Sequence, residues 1–125
     1  KNKMRTKFKD ILEYEKAQLL LQPIYIRLID NIRQESELSD WNVSYKEINE
    51  PFPSYIVLFK KGNYLRQYNI WELCFKICFD SYESEENIPV IIDKILMDDR
   101  GELDWQQIEI KTKNLVKSLL NISSN

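Results

Sequence analysis

The sequence predicts an α+β domain with the element order α-α-β-β-β-α-β-α, in which helices pack on a small, mostly antiparallel sheet. Apolar residues recur at helical spacing near both ends of the chain, and aromatic and β-branched residues concentrate between positions 41 and 69. A length of 125 residues corresponds to one domain, so we expect residues 1–125 to fold together, with 1–6 and 122–125 frayed.

Residues 6–40 are predicted to be helical, with Ser39 and Asp40 closing the helical region. Pro23 is placed in the first turn of a second helix, where its missing N–H costs nothing, and a single kinked helix is the alternative. The apolar residues that recur at helical spacing, and that we expect to face the core, are Phe8, Ile11, Leu12, Leu19, Ile24, Leu28 and Ile32.

The middle of the chain is predicted to form strands. The segments "WNVSYKEI" and "SYIVLFKK" are rich in aromatic and β-branched residues and are separated by "NEPFP". The turn "KKGNY" leads into "YLRQYNI", so residues 54–69 are expected to form a hairpin.

The segment "NIWELCFKICFD" covers residues 69–80, and its part from 70 to 80 fits two structures. Its apolar and polar residues alternate as in a strand, but Asn69 and Glu72 form a capping box of the N-x-x-E kind. Glu72, Lys76 and Asp80 also make one polar stripe at i, i+4 spacing, which favours a helix. We prefer the helix, and the strand stays open.

The last elements are a strand over "IPVIIDKILM", after an exposed loop "SYESEEN", and a helix that begins at Asp104. The helix is predicted from apolar positions three and four residues apart: Trp105, Ile108, Thr112, Leu115, Leu119 and Ile122.

Composition excludes several kinds of site. The chain has no histidine, which rules out Ser-His-Asp and Cys-His nucleophilic systems and imidazole metal sites within it. Its two glycines cannot assemble a P-loop or a dinucleotide fingerprint. The net charge of −2 favours neither nucleic acid nor a membrane surface, and no apolar run reaches the length of a membrane span. No signal-peptide core follows the basic start, so a cytoplasmic protein is expected.

The stretch "MDDRGELDWQQIE" raises the question of a calcium loop. With Gly101 at position 6 of an EF-hand, positions 1 and 12 fall on Leu96 and Gln107, so the required carboxylates are missing, and position 5 is Arg100. A structural interpretation explains the same residues. Gly101 provides a positive-φ turn, and Asp104 caps the last helix with Gln107 as its capping-box partner. We therefore predict no metal site, cofactor or catalytic residue.

Two alternatives remain open. Ten carboxylates lie between residues 80 and 109 against Lys94 and Arg100. A Mg²⁺-dependent enzyme acting on a phosphate substrate would need two or more of Asp80, Asp93, Asp98 and Asp99 to converge. The 59–68 hairpin sets Lys60, Lys61 and Arg66 among Phe59, Tyr64 and Tyr68, as a weak nucleic-acid binder would. An exposed hairpin without ligand is the more ordinary outcome, so nucleic acid is an unfavoured partner.

Cys74 and Cys78 are expected to be free, buried thiols.

The stretches "LLQPIYIRLIDNIR", "NIWELCFKICFD" and "DDRGELDWQ" together resemble a family of small cyanobacterial proteins of unknown function. The resemblance covers most of residues 8 to 120. It implies a cytoplasmic setting and brings no catalytic residues.

The leading functional hypothesis is a non-catalytic domain that acts by protein–protein contact, as an adaptor, assembly or regulatory factor. The partner would be an unknown protein or a second copy of the chain, and no membrane is involved. The hypothesis rests on the missing catalytic equipment and on apolar residues beyond the core stripes. These residues are Leu20, Leu21, Tyr25, Ile26, Ile110, Val116 and Leu120.

Overall fold

A computed structural model describes residues 11–50, 53–82 and 89–120. The element order is α1 (Ile11–Glu37), β1 (Asn42–Ile48), β2 (Ser54–Lys61), β3 (Tyr64–Asn69), α2 (Ile70–Cys78), a 3₁₀ turn (Lys94–Leu96) and α3 (Trp105–Leu119). This is an α+β fold with a three-stranded antiparallel sheet in the order β1-β2-β3, which confirms the predicted class. The frayed ends and the position of Phe8 lie outside the described residues.

The prediction of two N-terminal helices is wrong, because α1 is one helix of 27 residues with Pro23 inside it. Proline removes one backbone hydrogen bond, which usually costs about 3 kcal/mol. In α1 this cost is offset by burial on both sides of the proline, since Ala17 and Leu20 precede it and Ile24, Leu28 and Ile32 follow it in the core.

The sheet has one face in the core. Strand β2 pairs antiparallel with both β1 and β3, with Val57 opposite Tyr45 and Tyr68. Successive strand residues point to opposite faces, so Val57 and Phe59 point into the core. The hairpin turn contains Gly62 at φ +59°, the left-handed conformation that glycine adopts without strain.

Residues 70–78 form α2, as preferred from the sequence. The Asn69 side chain accepts hydrogen bonds from the backbone N–H groups of Trp71 and Glu72, at 2.8 and 3.3 Å. These bonds satisfy donors that the first helical turn leaves unpaired, which explains why a segment with strand-like alternation becomes a helix immediately after β3.

The predicted strand over "IPVIIDKILM" is wrong. Its described residues make an isolated bridge, Ile92 with Phe79 at the end of α2, followed by the 3₁₀ turn. Two backbone hydrogen bonds flank this bridge, from the Asp80 N–H to the Ile91 carbonyl at 2.8 Å and from the Asp93 N–H to the Cys78 carbonyl at 3.0 Å. Cys78 belongs to α2 and Ser81 has φ +57°, so the backbone is extended only briefly on the Phe79 side of the bridge. The Ile92 N–H points the other way and is accepted by Glu13 Oε1 of α1 at 2.8 Å.

Helix α3 packs on α1 along a polar seam. The Arg27 guanidinium lies 5.2 Å from the centre of the Trp105 ring, and Asn31 Nδ2 donates to Glu109 Oε1 at 3.3 Å. Farther along α1, buried Glu35 contacts two lysines of α3, with Lys117 Nζ at 3.2 Å and Lys113 Nζ at 3.8 Å. Contacts advance along both helices in the same direction, so α1 and α3 run parallel.

Candidate interaction surfaces

In the acidic stretch after the 3₁₀ turn, the Asp98 carboxylate accepts hydrogen bonds from the backbone of the same loop. Asp98 Oδ1 accepts the backbone N–H groups of Arg100 and Glu102 at 2.8 and 2.9 Å. A bridge between Met97 and Leu103 closes the loop, and Gly101 has φ +82°. The predicted positive-φ turn is confirmed. The loop is an Asx turn, held by hydrogen bonds from its own backbone to the Asp98 side chain.

Helix α3 has one of the two hydrogen bonds of the predicted capping box. Asp104 Oδ1 accepts the Gln107 N–H at 3.1 Å, as expected for an N-cap. The reciprocal bond is absent from the described residues, because the Asp104 N–H is donated to the Leu96 carbonyl at 2.9 Å.

The four aspartates of the Mg²⁺ alternative have separate surroundings. Asp93 Oδ2 is 2.5 Å from Lys111 Nζ, Asp98 folds its own turn, and Asp80 and Asp99 are exposed. Within residues 11–50, 53–82 and 89–120, no group of three or more His, Cys, Asp or Glu side chains could hold a metal ion. The described carboxylates therefore supply no assembled ion site.

The cations of the hairpin are divided between the two faces of the sheet. Lys61 and Arg66 lie over Trp41, with Lys61 Nζ and the Arg66 guanidinium carbon each 5.1 Å from the ring centre. Arg66 Nη1 also donates to the Leu119 carbonyl at 2.6 Å, where a cation is stabilised by the C-terminal end of α3. Lys60 projects from the opposite face. The predicted basic and aromatic group is not one surface.

The cysteines are free and fully buried in α2, as predicted. Burial raises the pKa of both the Cys74 and Cys78 thiols to about 12. Thiolate is the reactive form, so neither side chain is a nucleophile near neutral pH.

The apolar residues of α1 are arranged differently from the prediction. Ile11, Leu12 and Leu19 were expected in the core, but their exposed fractions are 73%, 54% and 61%. Among the residues taken as surplus, Leu20, Val116 and Leu120 are core residues, and Leu21 and Tyr25 are half-buried against the core. Ile26 and Ile110 remain exposed, at 57% and 44%.

Leu12, Leu19 and Ile26 form the α1 outer ridge. A spacing of seven residues on an α-helix rotates by only about 20°, so the three side chains point in nearly the same direction, away from the core. They extend for about 21 Å along the helix at 1.5 Å per residue. An aliphatic ridge on the solvent side of a helix is the feature expected where a partner packs.

A groove of about 540 Å³ adjoins this ridge, between α1 and the first turn of α3. Leu19, Pro23 and Ile26 line one side, and Trp105, 49% exposed, lines the other. Arg27 stacks on the tryptophan and is 3.9 Å from Glu109. Gln18 and Gln22 complete the lining, and Trp105 and Arg27 are of residue types that often dominate binding energy in protein interfaces.

Within the described residues, the outer face of the sheet is a second candidate surface, because no part of the core packs on it. Its apolar residues lie outside the core and form the open-face stripe, which consists of Ile48, Ile56, Leu58 and Leu65. Sequence reasoning missed this surface, although the run Ile56-Val57-Leu58-Phe59 shows that β2 is apolar on both faces.

Comparison with protein-family models, with curated proteins and with solved structures finds no match for this chain. The resemblance to cyanobacterial proteins stays a prediction. Within the described parts of the chain, every helix is too short or too polar to cross a membrane.

Proposed function

We propose that this domain acts by protein–protein contact, as an adaptor, assembly or regulatory factor, and that the α1 outer ridge makes the contact. The observation that carries the proposal is the placement of Leu12, Leu19 and Ile26 on the solvent side of α1. The same helix buries Leu20, Ile24 and Leu28, so it is apolar on two opposite sides. A helix that packs on one side only needs one apolar face.

The neighbouring groove supports the same proposal. Trp105 is held in place by Arg27 rather than turned into the core, which leaves half of a large aromatic side chain available to a partner. Ridge and groove are continuous through Leu19 and Ile26, so one partner helix could contact both. The proposal places the domain in the cytoplasm, where its two free thiols would remain reduced.

The test uses the double variant Leu19→Lys/Ile26→Lys, which adds two charges to the ridge. Both side chains are more than half exposed, so its melting temperature should stay within a few degrees of wild type. The control Asn114→Lys adds the same kind of charge at an exposed position of α3. Light scattering measures self-association, and chemical cross-linking in native extract with mass spectrometry identifies a partner.

We expect wild type and Asn114→Lys to form the same complex, and the double variant to bind at least tenfold more weakly. A wild-type chain that stays monomeric, with cross-linked partners unchanged by the ridge substitutions, would contradict the proposal.

A further inference from the structure

The open face of the sheet carries an apolar stripe that follows a diagonal across the three strands. In the observed register, Ile48 lies at one end of β1, Ile56 and Leu58 lie in the middle of β2, and Leu65 lies at the far end of β3. With strands about 4.8 Å apart and about 3.3 Å per residue, the stripe is roughly 22 Å long. Leu65 is 56% exposed, and the other three side chains are half-buried.

Charge on this face has one sign and lies on one side of the stripe. Lys46 and Lys60 project from the sheet along the same flank, and neither is in an ion pair within the described residues. The other flank is neutral and polar, with Ser54, Gln67 and Asn69. The strand residues of this face include no carboxylate, since Glu47 points to the opposite face.

We propose that the open face of the sheet binds an acidic amphipathic helix of a protein partner, whose apolar side lies along the open-face stripe and whose carboxylates meet Lys46 and Lys60. A helix of about four turns has the required length of roughly 22 Å. This site is separate from the α1 outer ridge and goes beyond the function proposed above. Together the two surfaces would let the domain hold two proteins at once.

The charge and the side-chain types of the open face favour an acidic partner over a second copy and over nucleic acid. A second copy would present the same strand residues, which include no carboxylate, so its own open face would supply no partner of opposite charge for Lys46 and Lys60. Single-stranded nucleic acid needs aromatic side chains on which bases stack, and the strand residues of this face are without any aromatic ring. An acidic partner satisfies both lysines and covers the apolar stripe.

The test uses the full chain and two synthetic 16-residue peptides. One has leucines at the a and d positions of a heptad with glutamates beside them, and the other has lysine at each glutamate position. Binding is followed by amide chemical shifts of ¹⁵N-labelled protein. We expect the glutamate peptide to bind, with the largest shifts in β1, β2 and β3, and the lysine peptide to bind at least tenfold more weakly.

Three variants test which residues carry the preference. Lys46→Glu/Lys60→Glu should reverse the preference, so that the lysine peptide binds more tightly than the glutamate peptide. The control Lys76→Glu makes the same charge change at an exposed position of α2 and should leave both affinities unchanged. Leu65→Ser should weaken the glutamate peptide severalfold without reversing the preference.

Several outcomes would overturn the proposal. These are equal affinity for the two peptides, shifts concentrated on α1 instead of the sheet, and the absence of shifts at millimolar glutamate peptide. A dimer in light scattering that is lost in Leu65→Ser would assign the face to a second copy. Displacement of the peptide by a labelled single-stranded oligonucleotide would assign it to nucleic acid. None of these results depends on Leu19 or Ile26, so failure here leaves the α1 proposal standing.

Discussion

Adjacent leucines of α1 offer a direct test of its orientation. Leu20 is fully buried and Leu19 is 61% exposed, although both belong to the same apolar run. Replacing Leu20 by alanine removes three carbon atoms from a packed core, a change that costs about 2–5 kcal/mol. We expect Leu20→Ala to lower the free energy of unfolding by roughly 3 kcal/mol. Because a domain of this size loses about 3–5 °C per kcal/mol, its Tm should fall by roughly 10 °C.

Leu19→Ala is the matched control, since it removes the same three atoms one residue away. An exposed substitution of this kind changes stability by less than about 0.5 kcal/mol. Urea denaturation followed by circular dichroism measures both, and the slope with urea concentration should be the same in both variants. Equal destabilisation by the two substitutions, or a larger loss for Leu19→Ala, would refute the orientation of α1 and remove the basis of the ridge.

The remaining predictions concern single atoms and groups. Thr112 Oγ1 is buried without a hydrogen-bond partner among the described residues. Thr112→Val should therefore raise the free energy of unfolding, measured by urea denaturation, by about 1 kcal/mol. A lower free energy of unfolding in this variant would show that the hydroxyl is hydrogen-bonded. Gly101→Ala should lower the free energy of unfolding by about 1–2 kcal/mol, because φ at this position is +82°. Steric contact does not contribute, since nothing lies within 4 Å of the added carbon. An unchanged Tm would contradict this prediction. The thiol pKa values of Cys74 and Cys78 are about 12 in the folded chain and lower when unfolded, so unfolding releases protons at alkaline pH. Stability should therefore fall between about pH 9 and 12, and Cys74→Ala/Cys78→Ala should flatten the dependence of Tm on pH; the same slope in both proteins would count against buried thiols.

Local chemistry made much of the fold predictable. Asn69 caps α2, Gly101 turns the acidic loop and Asp104 caps α3, and each is a residue whose own side chain or backbone determines the outcome. The class and the β2–β3 hairpin followed from alternation and turn residues, which are also local signals.

Features decided by tertiary contacts were mispredicted. Periodicity indicates that residues share a face of a helix, but it does not say which face meets the core, and Leu12 and Leu19 were therefore assigned to the wrong side. Near Ile92 the expected strand is reduced to a bridge with Phe79, the residue directly after α2, and the Ile92 N–H is accepted by Glu13, 79 residues away in sequence. Both candidate surfaces were missed or misplaced for the same reason, because an uncovered face is defined by what does not pack on it.

The polar seam between α1 and α3 fixes how far one helix can slide along the other. Arg27 and Asn31 both contact Glu109, whereas Glu35 one turn farther contacts Lys113 and Lys117, so the charges along the seam are complementary in the observed alignment. Moving α3 by one turn would bring Glu109 toward Glu35 in one direction, or Lys113 toward Arg27 in the other. Helices joined only by leucine contacts would tolerate either shift. In the seam between α1 and α3, either shift would place like charges together. The alternation of charge along the two helices therefore helps to set the position of Trp105 beside the groove.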